Sequence, residues 1–220
     1  MKSFEAFEKH ALEYDAWYDK YGPAYESELL ALKQFLPKKL RKLRALEIGV
    51  GTGRFAGPLG IGYGVEPARA MAELAKKRGV EAVLGVAEAL PFKGGSFDLV
   101  LIVTAIAFFK DPLQGLREAA RALKPGGQII IGMLDRDSPP GQYYESKREE
   151  GKFSSGARFL SAAELKAHLV KLGFENIKTC QTIFKIPEEI EEIETVKHGT
   201  GDGLLAVISA WKPAAEKCFH

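Results

Sequence analysis

Three glycines and two acidic residues mark the place where this chain could do chemistry. Glu47 lies in a short apolar run that ends at Gly49, Gly51 and Gly53, and Glu66 ends the next one, Ile61 to Val65. Glycine has no Cβ, so the turn can take positive φ and bring backbone N–H groups close to a bound molecule. If both runs are strands, the two carboxylates flank that turn. No GxxxxGK[ST] sequence follows the first run, which excludes a Walker phosphate loop. A dinucleotide fingerprint is met only from Gly51, as Gly51-x-Gly53-x-x-Ala56. Its acidic partner belongs about 20 residues on, whereas Glu66 follows Gly51 by 15 and Glu47 is left without a role.

The elements that must position these residues alternate. Leu46 to Ile48, Ile61 to Glu66, Val80 to Leu84, Phe97 to Val103 and Gln128 to Leu134 read as strands. Between them fall a short helix from Thr52 to Leu59, cut back by Gly57-Pro58, and a helix from Pro67 to Arg78 that starts on proline and stops at Gly79. Another runs from Pro112 to Leu123. Strict alternation implies a parallel sheet with right-handed crossovers and helices on both faces, an α/β, doubly wound fold. Ser161 to Glu164 is a capping box that opens a helix ending near Gly173. Ile177 to Ile186 and Leu204 to Trp211 lack a full crossover helix between them, so they read as an antiparallel pair. The expectation is one domain over 1–220, with a mostly parallel seven-stranded sheet and an antiparallel edge strand.

Two regions stand outside this rhythm. Residues 1–36 read as an N-terminal helical cap, with Phe7, Tyr14, Trp17, Tyr18 and Tyr21 spaced for one aromatic face. Residues 135–160, opening with Asp135, Asp137, Pro139 and Pro140 and running through Tyr143, read as a long loop or lid.

Composition narrows the partners. At 220 residues the chain can bury roughly 70–75% of its unfolded surface in one core. The formal charge of +2, from 31 basic and 29 acidic side chains, supplies no field to draw it to nucleic acid or an anionic membrane. The basic run from Lys38 to Arg44 has no interleaved aromatics for base stacking and reads as a solvated lead into the first strand. Cys180 and Cys218 lie in no CxxC pair and near no histidine at ligand spacing, so neither a disulfide framework nor a metal site is expected. With no signal peptide and no long apolar run, the expected product is a cytoplasmic protein, monomeric or weakly dimeric.

Five segments in order give a resemblance to the class I S-adenosylmethionine (SAM)-dependent methyltransferases, of the small-molecule kind found in ubiquinone biosynthesis. They are Ala45 to Gly53, Gly64-Val65-Glu66-Pro67, Gly85 to Phe92, Ser96 to Val100, and Leu123-Lys124-Pro125-Gly126-Gly127. The resemblance implies that Glu66 accepts the ribose hydroxyls and that Glu47 faces the methionine end. Gly49, Val50, Gly51 and Gly53 would pass beside the cofactor, Pro67, Met71, Ala87 and Glu88 would meet the adenosine, and Thr104 would lie beyond the fourth strand. S-adenosylhomocysteine would be the product. Gly53 and Glu66 are only 13 positions apart, so the first helix must be short.

The [ND]PP[YF] element of amino-methylating nucleic-acid enzymes is missing after the fourth strand, where the chain reads Thr104 to Phe109, and there is no Pro-Cys nucleophile. The implied acceptor is a small molecule with an apolar part, met by Tyr14, Trp17, Tyr18, Ile106 and Tyr143. His10 and His198 are weak general-base candidates. An NAD-dependent oxidoreductase and a non-catalytic SAM-binding regulatory module are the competing readings.

Overall fold

The computed structural model describes residues 4–214; Cys218 lies outside them. The strands are β1 (Ala45–Ile48), β2 (Tyr63–Glu66), β3 (Glu81–Leu84), β4 (Phe97–Val103), β5 (Leu123–Leu134), β6 (Glu175–Thr182), β7 (Lys197–His198) and β8 (Leu205–Trp211). They form one sheet in the order β3-β2-β1-β4-β5-β8-β6-β7. The first five pair in parallel, and β8 runs antiparallel between β5 and β6. The sheet has eight strands rather than seven because the two-residue β7 adds an antiparallel edge to β6.

Alternation along β4 builds the core. Leu99, Leu101 and Val103 face α3 (Gly22–Lys33), α4 (Ala56–Leu59) and α5 (Arg69–Lys77), while Val100 and Ile102 face α6 (Pro112–Ala122) and α8 (Ala162–Lys171). Phe97 joins the second face because the register shifts between Phe97 and Leu99. Burial on both sides gives the continuous apolar runs of a parallel sheet. The helix after the glycine turn is indeed short: α4 has four residues, ended by Gly60 in the left-handed region at φ 77°.

One reading is corrected. Residues 135–160 are not a continuous loop, for Pro139–Lys147 is a helix, α7. Its first turn carries the two prolines, where no N–H is needed, and Ser138 caps it by accepting from Gly141 N at 3.1 Å. The aromatics of α2 (Ala11–Lys20), which follows α1 (Glu5–Lys9), form one band. Phe7 meets Tyr14 with centroids 5.3 Å apart, Tyr14 meets Tyr18 at 5.6 Å, Tyr18 meets Trp17 at 5.3 Å and Trp17 meets Tyr21 at 5.1 Å.

Among the described residues no helix is long and apolar enough to cross a membrane, and no group of three His, Cys, Asp or Glu side chains is placed to hold a metal. Cys180 is buried against Ala31 O, and burial pushes its thiol up to about 11.

Candidate active site

A cavity of about 820 Å³ opens at the carboxyl ends of β1, β2 and β4. That volume is within the roughly 300–1,000 Å³ of small-molecule sites. Its position follows from topology, because the chain order reverses between β1 and β4 and leaves a crevice there.

The glycine turn is held from within. Gly49 and Val50 N–H both donate to Val65 O, at 2.8 and 3.0 Å, and Gly53 N–H donates to Val50 O at 2.9 Å. Gly51 N–H donates to Glu66 Oε2 at 2.9 Å, and Ala68 N–H to Oε1 at 3.0 Å. The turn therefore offers no ring of free N–H donors, which a phosphate would require. The glycines serve close approach instead. Gly49 has φ +72°, and a Cβ there would lie 2.3 Å from Ala105 Cβ; one on Gly64 would lie 2.6 Å from Val50 Cγ1. Gly49→Ala is expected to cost about 2–4 kcal/mol, read as a Tm lower by roughly 5–15 °C. A shift within a degree of wild type would mean that the turn relaxes freely.

Both carboxylates are buried beside the turn. Glu47 is 1% exposed, lines the cavity, and its Oε2 has no hydrogen-bond partner. A buried acceptor without a partner is costly and points to a donor supplied by a ligand. Burial raises the Glu47 pKa well above the ordinary carboxylate value. Glu66 is 6% exposed; burial raises its pKa to about 7, with the Ala68 and Gly51 N–H groups opposing.

Of the residues expected at the site, Gly49, Val50, Gly51, Pro67 and Met71 line the cavity with Glu47 and Glu66. So do Ala87, Glu88 and Thr104 on the far side, and Tyr14 and Tyr18 above. Thr104 has φ 53°, a strained setting for a β-branched residue, and such strain clusters at functional sites. Four expected residues are elsewhere. Gly53 packs under the turn against Ala75, and Ile106 is 2% exposed in the core beneath β4. Trp17 points to Tyr21, and Tyr143 is 48% exposed on α7. Neither His10, paired with Glu13 at 3.4 Å, nor His198 on β7 reaches the cavity.

Sequence reasoning did not assign Phe7, Arg54, Lys110 or Arg158, all of which line the cavity. Phe7 was legible only as one more aromatic. Arg54 is gripped by α2: Nε and Nη2 donate to Asp15 at 3.0 and 2.8 Å, and Nη1 and Nη2 to Asp19 at 2.7 Å each. Burial raises the Asp15 pKa, but the Arg54 and Arg78 hydrogen bonds outweigh it and leave it at about 2. Above the site, Phe7 meets Phe108 at 5.0 Å and Phe153 at 5.5 Å, and Lys152 Nζ bonds Glu13 at 2.6 Å. These contacts join α1, α2 and the segment after α7 into one cover.

The methyltransferase-domain family matches residues 46–131. Demethylmenaquinone methyltransferase of Lactococcus lactis is 32% identical over 183 residues, 74% of this chain and 71% of that protein. The chain belongs to the SAM-dependent methyltransferases. A SAM-dependent methyltransferase of Thermotoga maritima, described as a possible histamine N-methyltransferase, shares 49% identity and superposes with a TM-score of 0.90 over 95% of this chain and 99% of its own. An uncharacterized Methanocaldococcus jannaschii protein is 48% identical over 94% of this chain and 98% of its own length. The enzyme is thus a methyltransferase with SAM as donor, and the oxidoreductase and regulatory-module readings give way. The buried, unpartnered Glu47 oxygen and a glycine turn whose Gly49, Val50, Gly51 and Gly53 N–H groups are already paired fit a donor that carries an ammonium, a ribose and no phosphate.

A buried group elsewhere shapes the pH response. Glu28 on α3 is 7% exposed, and burial raises its pKa from 4.5 to about 8. The folded chain keeps this proton to about pH 8 while the unfolded chain loses it near 4.5, so stability falls as pH rises between those values. Glu28→Gln should flatten the dependence of Tm on pH, on the order of 1.4 kcal/mol per unit removed. Parallel Tm curves for the two proteins would show that the folded state ionises Glu28 without cost.

Proposed function

We propose that the methyltransferase acts on a small-molecule acceptor with an apolar part, bound between the cofactor and the aromatic cover. The observation that carries this reading is one cavity whose two ends differ, buried carboxylates at the glycine turn and Phe7, Tyr14, Tyr18 and Phe108 under the cover. Glu66 accepts the ribose hydroxyls, Glu47 takes the methionine ammonium, and Met71, Ala87 and Glu88 border the adenine. Pro67 and Thr104 complete the cofactor wall. Helices α1–α3 serve as a cap, and the segment around 148–158 as a lid. Demethylmenaquinone and histamine, in the names of the two relatives, are both small molecules, which supports the class. The protein is read as cytoplasmic, a monomer or weak dimer, with no nucleic-acid or membrane partner.

When bound, SAM presents a methyl group on a cationic sulfur, so transfer is an in-line displacement with an activated leaving group. The chain's task is alignment in a dry pocket, worth roughly 7–11 kcal/mol. Tyr14 and Tyr18 hydroxyls lie 3.0 Å apart. Burial pushes Tyr14 up to about 12 and Tyr18 well above its ordinary value. Both keep their protons near neutral pH and orient the acceptor through hydrogen bonds. Among the described residues no histidine lines the cavity.

Incubation with methyl-labelled SAM and separate pools of small metabolites, tRNA, DNA and protein tests this reading. Label is expected in the small-metabolite pool; label confined to a polymer pool would contradict it.

A further inference from the structure

Charges of both signs line the cavity. Its carboxylates, Glu47, Glu66 and Glu88, come from the ends of β1 and β2 and the loop after β3. Its cations are Arg54, Lys110 and Arg158. Arg54 is neutralised by Asp15 and Asp19. Lys110 and Arg158 are exposed and form no ion pair among the described residues. They stand on adjoining backbone: Arg158 N–H donates to Ala107 O at 2.7 Å, and Lys110 follows Ala107 by three positions. Phe108 and Phe109 lie between, with the Phe7 ring on Phe108. The nearby carboxylate of the cover, Glu13, is already bound to Lys152.

Resting on the small-molecule reading above, we propose that the methyl acceptor is anionic, with a carboxylate, sulfonate or phosphate held by Arg158 and Lys110 while its apolar part lies against Phe7 and Phe108. A guanidinium offers paired donors matched to an oxyanion, and an ammonium adds a second point charge. An acceptor with an ammonium tail would instead meet these two cations, with Glu88, which accepts from Asp111 N–H at 3.1 Å, as the cavity carboxylate on that side. Both cations sit at the rim, so each contributes roughly three- to tenfold in affinity rather than the larger factor of a buried pair.

The 220-residue chain, loaded with S-adenosylhomocysteine, is titrated calorimetrically with phenols, anilines and imidazoles bearing a carboxylate, carboxamide or ammonium tail on the same linker. Carboxylate members are expected to bind about tenfold or more tightly than their carboxamide and ammonium counterparts. Arg158→Gln and Lys110→Gln should each lower that preference roughly three- to tenfold and leave S-adenosylhomocysteine affinity unchanged. Preference for the ammonium series, or an anion preference that survives both substitutions undiminished, overturns the assignment while the small-molecule reading stands. Weakened S-adenosylhomocysteine binding in either variant also overturns it, because the cations would then serve the cofactor. If no member binds while S-adenosylhomocysteine still does, the small-molecule reading falls and takes the anion assignment with it.

Discussion

Glu66→Ala is expected to weaken SAM binding by at least tenfold. Its carboxylate is the acceptor proposed for two ribose hydroxyls, and a hydrogen bond to a charged group contributes roughly 1.5–3 kcal/mol. Because Oε2 also takes the Gly51 N–H at 2.9 Å, the alanine leaves a turn donor unsatisfied and loosens the cofactor wall as well. The pH response separates the two effects. Glu66 has a pKa near 7 in the free protein, so binding that requires the carboxylate weakens as pH falls through 7 and strengthens above it. In Glu66→Ala that slope should vanish along with the affinity. Calorimetry at pH 6, 7 and 8 on both proteins measures it; unchanged affinity in the variant removes the ribose assignment.

Arg54→Ala is the second large effect. The guanidinium ties the residue after Gly53 to two turns of α2 through Asp15 and Asp19, while Arg78 holds Asp15 and the Thr52 carbonyl at 2.8 Å each, and the Tyr25 hydroxyl donates to Arg54 O. Tyr14 and Tyr18 are the chain neighbours of these aspartates, so the same clamp sets the tyrosines over the cavity. Asp15 and Arg54 side chains are only 14% and 15% exposed, and removing one partner of a largely buried pair costs more than a surface bridge. A loss of about 2–4 kcal/mol is expected, lessened because Arg78 still faces Asp15. Asp19→Asn should lower Tm far less, since Asp19 is 70% exposed and solvent screens its pair. The catalytic signature is a raised KM for the acceptor and faster protease cleavage within α1–α2. Wild-type cleavage kinetics in Arg54→Ala would show that α2 is fixed by its aromatic contacts alone.

Much of this was legible in the chain because local patterns encode it. The strand ends, the short α4 and the capping box of α8 each rest on a few adjacent residues, and Glu47 and Glu66 are placed by the strands that carry them. What was not legible depends on pairing across distance. Asp15 and Asp19 meet Arg54 across 39 and 35 residues with no local sign that they would. Lys110 and Arg158 become neighbours only through a backbone bond from Arg158 to Ala107. The proline pair of α7 was read as a break, although the first helical turn tolerates proline.

The arrangement of the site is tested most directly by a crystal structure of the enzyme with S-adenosylhomocysteine. The expected result has both ribose hydroxyls within hydrogen-bond distance of Glu66, the ammonium on Glu47, and the sulfur facing the space under Tyr14, Tyr18 and Phe108. A nucleoside bound away from Glu66, or a sulfur turned from the aromatic cover toward solvent, would contradict it.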